Sequence, residues 1–275
     1  MGKMLEGKIA IITGSGRGIG KAAAIMFANQ GAKVVVSDID AEPSEATVSE
    51  IKELGGDAVS CVGDATASDF PEKIVKKAVE TWGALHIIVN NAGYTWDGMA
   101  HKMTDEQWDA MLDLHLKAPF RIIRAAAPYF RDAAKREMGE GKATSRKIVN
   151  VSSLAGTGGN PGQANYSSAK AGIVGLTKTL SKEWAPFNVQ ANVVAFGFID
   201  TRLTKEKELG STIERKGKEV SLGIPDAQRK IVTKMIPMGR AGTPEEAAGT
   251  ILFFASPLSD YVSGQVLVVG GGFNM

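Results

Sequence analysis

Short apolar runs recur along this chain, and stretches with apolar residues three or four positions apart lie between them. Ile9–Thr13 is such a run ending in glycines, which predicts a buried strand. Ile19, Ala23, Met26 and Phe27 follow at helical spacing, which predicts a helix over Gly18–Asn29. The same pattern predicts strands at Lys33–Ser37, Ala58–Val62, Leu85–Val89, Lys147–Val151, Val189–Val194 and Gln265–Val269. Helices are predicted at Ser44–Leu54, Phe70–Thr81, Tyr166–Trp184 and Glu245–Ala255. Thr104 with Gln107 three residues on has the pattern of a capping box. It opens a long helical segment over Gln107–Lys135, bent near Pro119 and Pro128.

Apolar strands separated by helices predict a parallel sheet covered on both faces and joined by right-handed crossovers. No linker or repeat breaks the pattern, so the expected fold is α/β, one doubly wound domain over residues 1–275. Two segments fit less well. Met138–Arg146 is polar and reads as a surface loop. Thr204–Lys234 is highly charged and long enough for one or two helices; its place after the sixth strand makes it an expected substrate lid.

Composition narrows the function classes. The 275 residues are 44% hydrophobic and 23% charged, an ordinary globular balance. Thirty-two Lys and Arg against 30 Asp and Glu give a net charge of +2, which does not argue for nucleic acid. Cys61 is the single cysteine, so an internal disulfide and a thiolate metal cluster are excluded. His86, His101 and His115 have no metal-ligand spacing, and no metal is expected. No apolar run reaches the roughly 18 residues of a membrane span. The first strand begins too early to leave room for a secretory signal, so the expected compartment is the cytoplasm.

The first predicted strand runs into Thr13-Gly14-Ser15-Gly16-Arg17-Gly18-Ile19-Gly20 and then a helix. Glycines there allow a tight turn and a close approach of backbone to a pyrophosphate, which the helix N–H groups would face. No Gly-Lys-Ser/Thr follows, which disfavours Walker-type ATP binding. Asp38, ending the second strand, would accept from the adenosine ribose hydroxyls and repel a 2′-phosphate, so NAD is expected over NADP. Arg17 complicates this reading, because it has the reach to meet a 2′-phosphate. Asp64 would accept from an adenine amino group, with Ala65 supplying a backbone contact. Asn90-Asn91-Ala92-Gly93 would let the backbone pass the cofactor while the Asn amides lock neighbouring strands.

Ser153 follows the fifth strand, and Tyr166 and Lys170 lie four apart on one face of the next helix. A lysine charge beside a tyrosine favours the phenolate and lowers its pKa. Tyr166 would then exchange a proton with an alcohol or carbonyl oxygen, and Ser153 would orient that oxygen.

These pieces together resemble the short-chain dehydrogenase/reductase family. They are Thr13-Gly14, Gly18-Ile19-Gly20, Asn90–Gly93, the Ser153, Tyr166 and Lys170 set, and Ile236-Pro237-Met238-Gly239-Arg240. The resemblance covers nearly the whole chain. It implies a Rossmann-like fold with about seven parallel strands and a nicotinamide cofactor. It also implies a homotetramer or homodimer built through the long helices and the C-terminal strand. Carried over residue by residue, it places Gly14, Ser15, Arg17, Gly18, Ile19 and Gly20 at the cofactor, with Asp38, Ile39, Asp64 and Ala65. Asn91, Ala92, Gly93, Tyr166, Lys170, Gly197, Ile199 and Thr201 complete that set.

Three departures stand out. His115 occupies the place of an Asn that helps hold a water beside the catalytic Lys. It serves the relay through its carbonyl or imidazole, or else is a packed histidine. Phe196 replaces a Pro before Gly197, and Gly270-Gly271-Gly272 lacks an Asp before its glycine pair.

The substrate is less legible. Gly158–Tyr166 resembles the same stretch of 3-oxoacyl-thioester reductases, and His115 resembles the dehydrogenases of 3-hydroxyacyl-CoA. The leading expectation is therefore an NAD-dependent enzyme of 3-hydroxyacyl or 3-oxoacyl thioesters of CoA or an acyl-carrier protein. The alternatives are a dehydrogenase of a cyclic, aromatic or steroid-like alcohol, and a catalytically silent NAD-binding module. Tyr94, Trp96, Phe196 and Phe198 are the expected pocket walls, with Ser153 on the substrate.

Overall fold

Ile9–Thr13 forms strand β1, and all five residues are buried, as a strand flanked on both sides and covered on both faces requires. The computed structural model describes residues 2–142, 144–215 and 217–273. Met1, Ala143, Lys216, Asn274 and Met275 lie outside the described residues; Lys216 falls within the expected lid. The remaining strands are β2 (Lys33–Ser37), β3 (Asp57–Ser60), β4 (Ile87–Asn90), β5 (Arg146–Ser153), β6 (Val189–Phe196), β7 (Thr212–Arg215), β8 (Lys218–Ser221) and β9 (Val266–Val269). Seven of them make one parallel sheet in the order β3-β2-β1-β4-β5-β6-β9. Chain order reverses between β1 and β4, which opens a crevice at the carboxyl ends of those strands.

Helices α1 (Gly18–Asn29), α2 (Ala41–Glu53) and α3 (Phe70–Trp82) link the first four strands. The long helical segment is divided into α4 (Asp105–Leu112), α5 (Ala118–Ala125) and α6 (Ala133–Gly139). A short α7 (Leu154–Gly158) follows β5, then α8 (Ala164–Glu183), α9 (Asp226–Met235) and α10 (Pro244–Ala255). One core joins Phe27 of α1, Val48 of α2 and Ile251 and Phe254 of α10 to one face of the sheet. The other core packs Ile74, Ile122 and Leu180, from α3, α5 and α8, on the opposite face.

At both places where a bend is predicted the helix departs from regular i→i+4 geometry. Wide i→i+5 turns occupy Asp113–Lys117, just before Pro119, and Pro128–Asp132. Proline supplies no N–H to the helix ladder, and one extra residue per turn absorbs the clash. The Thr104–Gln107 capping box is present, with Gln107 N donating to Thr104 Oγ1 at 3.2 Å and Thr104 N to Gln107 Oε1 at 3.0 Å.

Three expectations need correction. The charged 204–234 segment is not purely helical: it holds an antiparallel hairpin, β7–β8, before α9. Ile213 and Val220, opposite each other in the hairpin, give it one apolar face, and Gly210 and Gly217 take the left-handed φ that the turns require. Within Met138–Arg146, α6 continues to Gly139 before the loop begins. Last, β9 is an edge strand whose Leu267 and Val268 are exposed rather than covered.

Candidate active site

A cavity of about 520 Å³ opens at the crevice between β1 and β4. Its first wall is the turn after β1. Gly14 has φ +64°, and a Cβ there would lie 2.7 Å from the Ala92 Cα, so only glycine lets the two backbones approach this closely. The Asn91 amide donates to the carbonyls of Thr13 and Gly14 at 3.0 Å each, and the Thr13 hydroxyl accepts from Asn91 N and Ala92 N. These bonds lock the β1 and β4 exits into one floor. Helix α1 begins beside it with no side-chain cap and no acid in its first turn. Its N–H groups are thus left for an anion.

Asp38 sits at the end of β2, its Oδ2 accepting from Gly16 N at 3.2 Å and its Oδ1 from Asp40 N at 3.3 Å. Arg17 is drawn to these acids: its Nη1 lies 2.7 Å from Asp40 Oδ2 and 3.9 Å from Asp38 Oδ1. Asp40, absent from the sequence reading, is what occupies Arg17. Asp64 and Ala65 line the same wall, with Asp64 Oδ1 taken by the backbone and hydroxyl of Thr66 at 2.8 Å each.

At the other end, β5 delivers Ser153 and α8 delivers Tyr166 and Lys170. Lys170 is 4% exposed; its Nζ donates to Val151 O at 2.7 Å and lies 5.6 Å from the Tyr166 ring centre. Burial pulls its pKa down to about 7. Burial pushes the Tyr166 phenol up to about 12; a hydrogen bond with Ser153 opposes this, and the Asp97 charge adds to it. The protein by itself therefore keeps the tyrosine protonated, and a nearby positive charge is needed to favour the phenolate.

His115 lies beneath this pair, 3% exposed, its ring edge-on to Tyr166 at 4.9 Å. Its Nε2 is 2.7 Å from Tyr94 O. A carbonyl only accepts, so Nε2 carries the proton and Nδ1 a lone pair. That Nδ1 is buried with no partner among the described residues. Burial first, and the Lys170 charge second, hold the imidazole well below its usual pKa, so it is neutral.

The structure separates the expected site residues. Gly14, Arg17, Gly18, Ile19, Asp38, Ile39, Asp64, Ala65, Asn91, Ala92 and Gly93 all line this cavity, as do Gly197, Ile199 and Thr201. Ser153, Tyr166, Lys170, His115, Tyr94, Phe196 and Phe198 line it too. Three expected residues do not. Ser15 is wholly buried, its hydroxyl donating to Ile12 O at 2.7 Å and accepting from Ser37 N at 3.0 Å, so it staples β1 to β2. Gly20 is packed under the turn, where a Cβ would stand 2.1 Å from Gly14 O. Trp96 packs among Tyr94, Ala110 and Met111 instead of facing the cavity.

Other lining residues escaped the sequence reading. Gln163 Nε2 donates to both Asp97 oxygens at 3.1 Å, and Asn160 donates to Gln163 Oε1 at 2.9 Å. All three line the cavity. Gln163 stands one helical turn before Tyr166, a spacing that could have flagged it; Asp97 comes from a distant loop and left no signal.

The chain matches the short chain dehydrogenase family over residues 8–211. It belongs to that family. It is 40% identical over 268 residues to the 3-oxoacyl-[acyl-carrier-protein] reductase of Thermotoga maritima, covering 98% of both chains. With the Vibrio cholerae protein of the same name it shares 37% identity over 272 residues, 98% of this chain and 99% of that one. The Staphylococcus aureus protein of that name is 34% identical over 269 residues, 98% of each. Membership in the short-chain dehydrogenase family makes this protein an oxidoreductase with an NAD(P)-binding Rossmann fold. No described helix is long and apolar enough to cross a membrane, and no group of three or more His, Cys, Asp or Glu among the described residues is placed to hold a metal.

Proposed function

We propose that the protein interconverts 3-oxoacyl and 3-hydroxyacyl thioesters, carried on coenzyme A or an acyl-carrier protein, with NAD(H) as cofactor. The observation that carries the reading is the arrangement of one continuous cavity, with a glycine cradle and uncapped helix at one end and Ser153, Tyr166 and Lys170 at the other. The names of the relatives point to the same thioester class. A dinucleotide suits the cradle: Gly14, Gly18 and the α1 N–H groups would hold its pyrophosphate. Asp38 would hold the adenosine ribose, with Ile39, Asp64 and Ala65 around the adenine. Asn91, Gly93, Gly197, Ile199 and Thr201 would flank the nicotinamide end.

Bound reduced cofactor supplies the hydride that the ketone carbon takes up. The chain's own residues manage the oxygen. Ser153 donates a hydrogen bond to it and fixes its position. Tyr166 gives it the phenolic proton, so ketone becomes secondary alcohol, and takes that proton back in the oxidative direction. Lys170, four residues on, stabilises the phenolate left behind. His115 is a positioning residue: its ring supports the Tyr166 face, its Nε2 holds the loop at Tyr94, and the Nδ1 lone pair would accept from a buried water of the relay. The Thr204–Lys234 segment acts as the substrate lid.

NAD is preferred to NADP because Asp38 repels a 2′-phosphate and Arg17 is engaged by Asp40. The protein works in the cytoplasm as a homotetramer or homodimer, with the exposed β9 edge and the exposed Trp108 and Phe120 of the long helices in subunit contacts. Tyr94, Phe196 and Phe198 on the cavity wall favour a second reading, a cyclic or aromatic secondary alcohol as substrate.

The test is reduction of acetoacetyl-CoA, followed by the absorbance of reduced nicotinamide, with NADH and NADPH separately and Tyr166→Phe alongside. NADH oxidation that disappears in Tyr166→Phe is the expected result. Failure of the thioester with turnover of cyclic ketones would establish the second reading. Cofactor binding with no turnover of any carbonyl would make the protein a silent binding module.

A further inference from the structure

Resting on Tyr166 as the group that exchanges the proton, we infer that Asp97 is a positioning residue for that step. Tied to Gln163, it joins the loop after β4 to the first turn of α8 and sets a negative charge near the Tyr166 phenol.

Helix α8 starts without a capping bond from its own N-cap side chain, Gln163. That side chain turns to the loop instead. Its Nε2 donates to both Asp97 oxygens at 3.1 Å, and its Oε1 accepts from Asn160 Nδ2 at 2.9 Å. Beside this tie, Gly98 N donates to Gly162 O at 2.8 Å. The wholly buried Asn165 donates to Trp96 O at 3.0 Å and to Gln107 O at 2.8 Å, while its Oδ1 accepts from Tyr166 N at 2.7 Å. Gln107 Nε2 in turn reaches Asp97 O at 3.2 Å. These bonds hold residues 96–98 against the turn that carries Tyr166. A purely mechanical tie needs no charge, since a neutral amide at position 97 would also accept from Gln163.

The charge has a target. Gln163 and Tyr166 are three apart and share a helix face, and both line the cavity with Asp97. Around the phenol, α8 supplies Lys170, the wide turn before α5 supplies the neutral His115, and the loop after β4 supplies Asp97. Farther along the wall stand Asp113, paired with Lys117 at 2.9 Å, and Arg202 and Glu214 of the segment after β6. Asp97 is open to water but lies in a concave wall, so partial burial raises its own pKa. Hydrogen bonds from Gln163 and Thr95 and the charge of Lys207 favour its ionised form. After burial, which dominates, the Asp97 charge is what further holds the Tyr166 phenol in its protonated state against the Ser153 hydrogen bond. Reduction thereby keeps its proton donor to a higher pH, and oxidation needs a higher pH to obtain its base.

The experiment follows kcat against pH in both directions, with acetoacetyl-CoA and NADH and with 3-hydroxybutyryl-CoA and NAD+. Wild type is compared with Asp97→Asn, Gln163→Ala and Tyr166→Phe. The alkaline limb of reduction and the acid limb of oxidation report the same proton. Asp97→Asn should move both to lower pH by about half a pH unit or more, about threefold in kcat on each limb. If that variant does not accumulate, Gln163→Ala, which frees the carboxylate to turn to solvent, should move both limbs in the same sense. A misplaced turn lowers the plateau and leaves the limbs where they are. Unmoved limbs in folded Asp97→Asn protein, or limbs moved to higher pH, would overturn the role of Asp97 and leave that of Tyr166 standing. Turnover that persists in Tyr166→Phe would overturn the reading of Tyr166 instead. If the thioesters are not substrates, a cyclic ketone and its alcohol carry the same pH series.

Discussion

Arg17 and Asp40 form an ion pair at 2.7 Å across the mouth of the cofactor end, and the same guanidinium lies 3.9 Å from Asp38. The pair is exposed, so its contribution to stability is small. Its proposed effect is on selectivity: an arginine held by two acids is not free to receive a 2′-phosphate. Replacing both acids, Asp38→Ala with Asp40→Ala, removes a repelling charge and frees Arg17. The ratio of kcat/KM with NADPH to that with NADH should rise by about tenfold or more. Steady-state kinetics with both cofactors checks this. An unchanged ratio would show that Asp38 does not read the ribose.

The proton-transfer set should divide by role. Tyr166→Phe removes the proposed proton donor and should lower kcat by roughly 10²–10⁴. Ser153→Ala should cost roughly 10²–10³ as an oxygen-orienting donor is lost. NADH binding, read by fluorescence, should persist in both. Loss of binding in parallel with rate would mean that the two residues shape the cavity rather than act in it.

Gly93 tests the packing of His115. A Cβ at Gly93 would lie 2.4 Å from His115 Cε1, with the backbone of Tyr94 next in the chain. Gly93→Ala must push the imidazole off its bond to Tyr94 O and away from the Tyr166 ring. Overpacking of this kind costs about 1–3 kcal/mol, seen as a lower denaturant midpoint. His115→Asn in the same background relieves the clash and should restore stability, because the smaller side chain vacates the contested space. If Gly93→Ala is as stable as wild type, His115 is not held as described.

His86 gives stability a pH dependence. Its Nδ1 accepts from Ile9 N at 3.0 Å, a bond only the neutral ring can accept. Burial, with the Lys8 and Arg146 charges, lowers its pKa to about 4. Between about 4 and the ordinary value near 6.5 the unfolded chain therefore binds more protons than the folded one. The contribution is complete above about pH 6.5 and is lost as pH falls toward 4, amounting to about 3 kcal/mol at most. His86→Asn keeps an acceptor near Ile9 but does not titrate. The difference in unfolding free energy between variant and wild type should shrink as pH falls through this window, and a constant difference would remove His86 as its source.

Much of the fold was legible because local patterns report it. β1 and β2 run over the predicted residues, since a continuous apolar run bounded by glycine or by polar residues suits only a buried strand. The Thr104 cap and the breaks in regular helix near both prolines were readable for the same local reason. The hairpin was not. Its segment is dominated by charge, and two apolar residues, Ile213 and Val220, are too few to set a period until they face each other.

The site divides along the same line. Sequence alone determined the glycine turn after β1, the acid ending β2 and the four-residue spacing of Tyr166 and Lys170, because each depends on neighbours along the chain. Only the tertiary structure decided where side chains point and what they meet. It turned Ser15 into a staple between β1 and β2, set Asp40 on Arg17, brought Gln163 to Asp97 and left the His115 Nδ1 buried without a described partner. Those outcomes depend on contacts between residues far apart in the chain. Close packing of the assembled sheet and helices, and the partners it leaves for each buried polar group, set them.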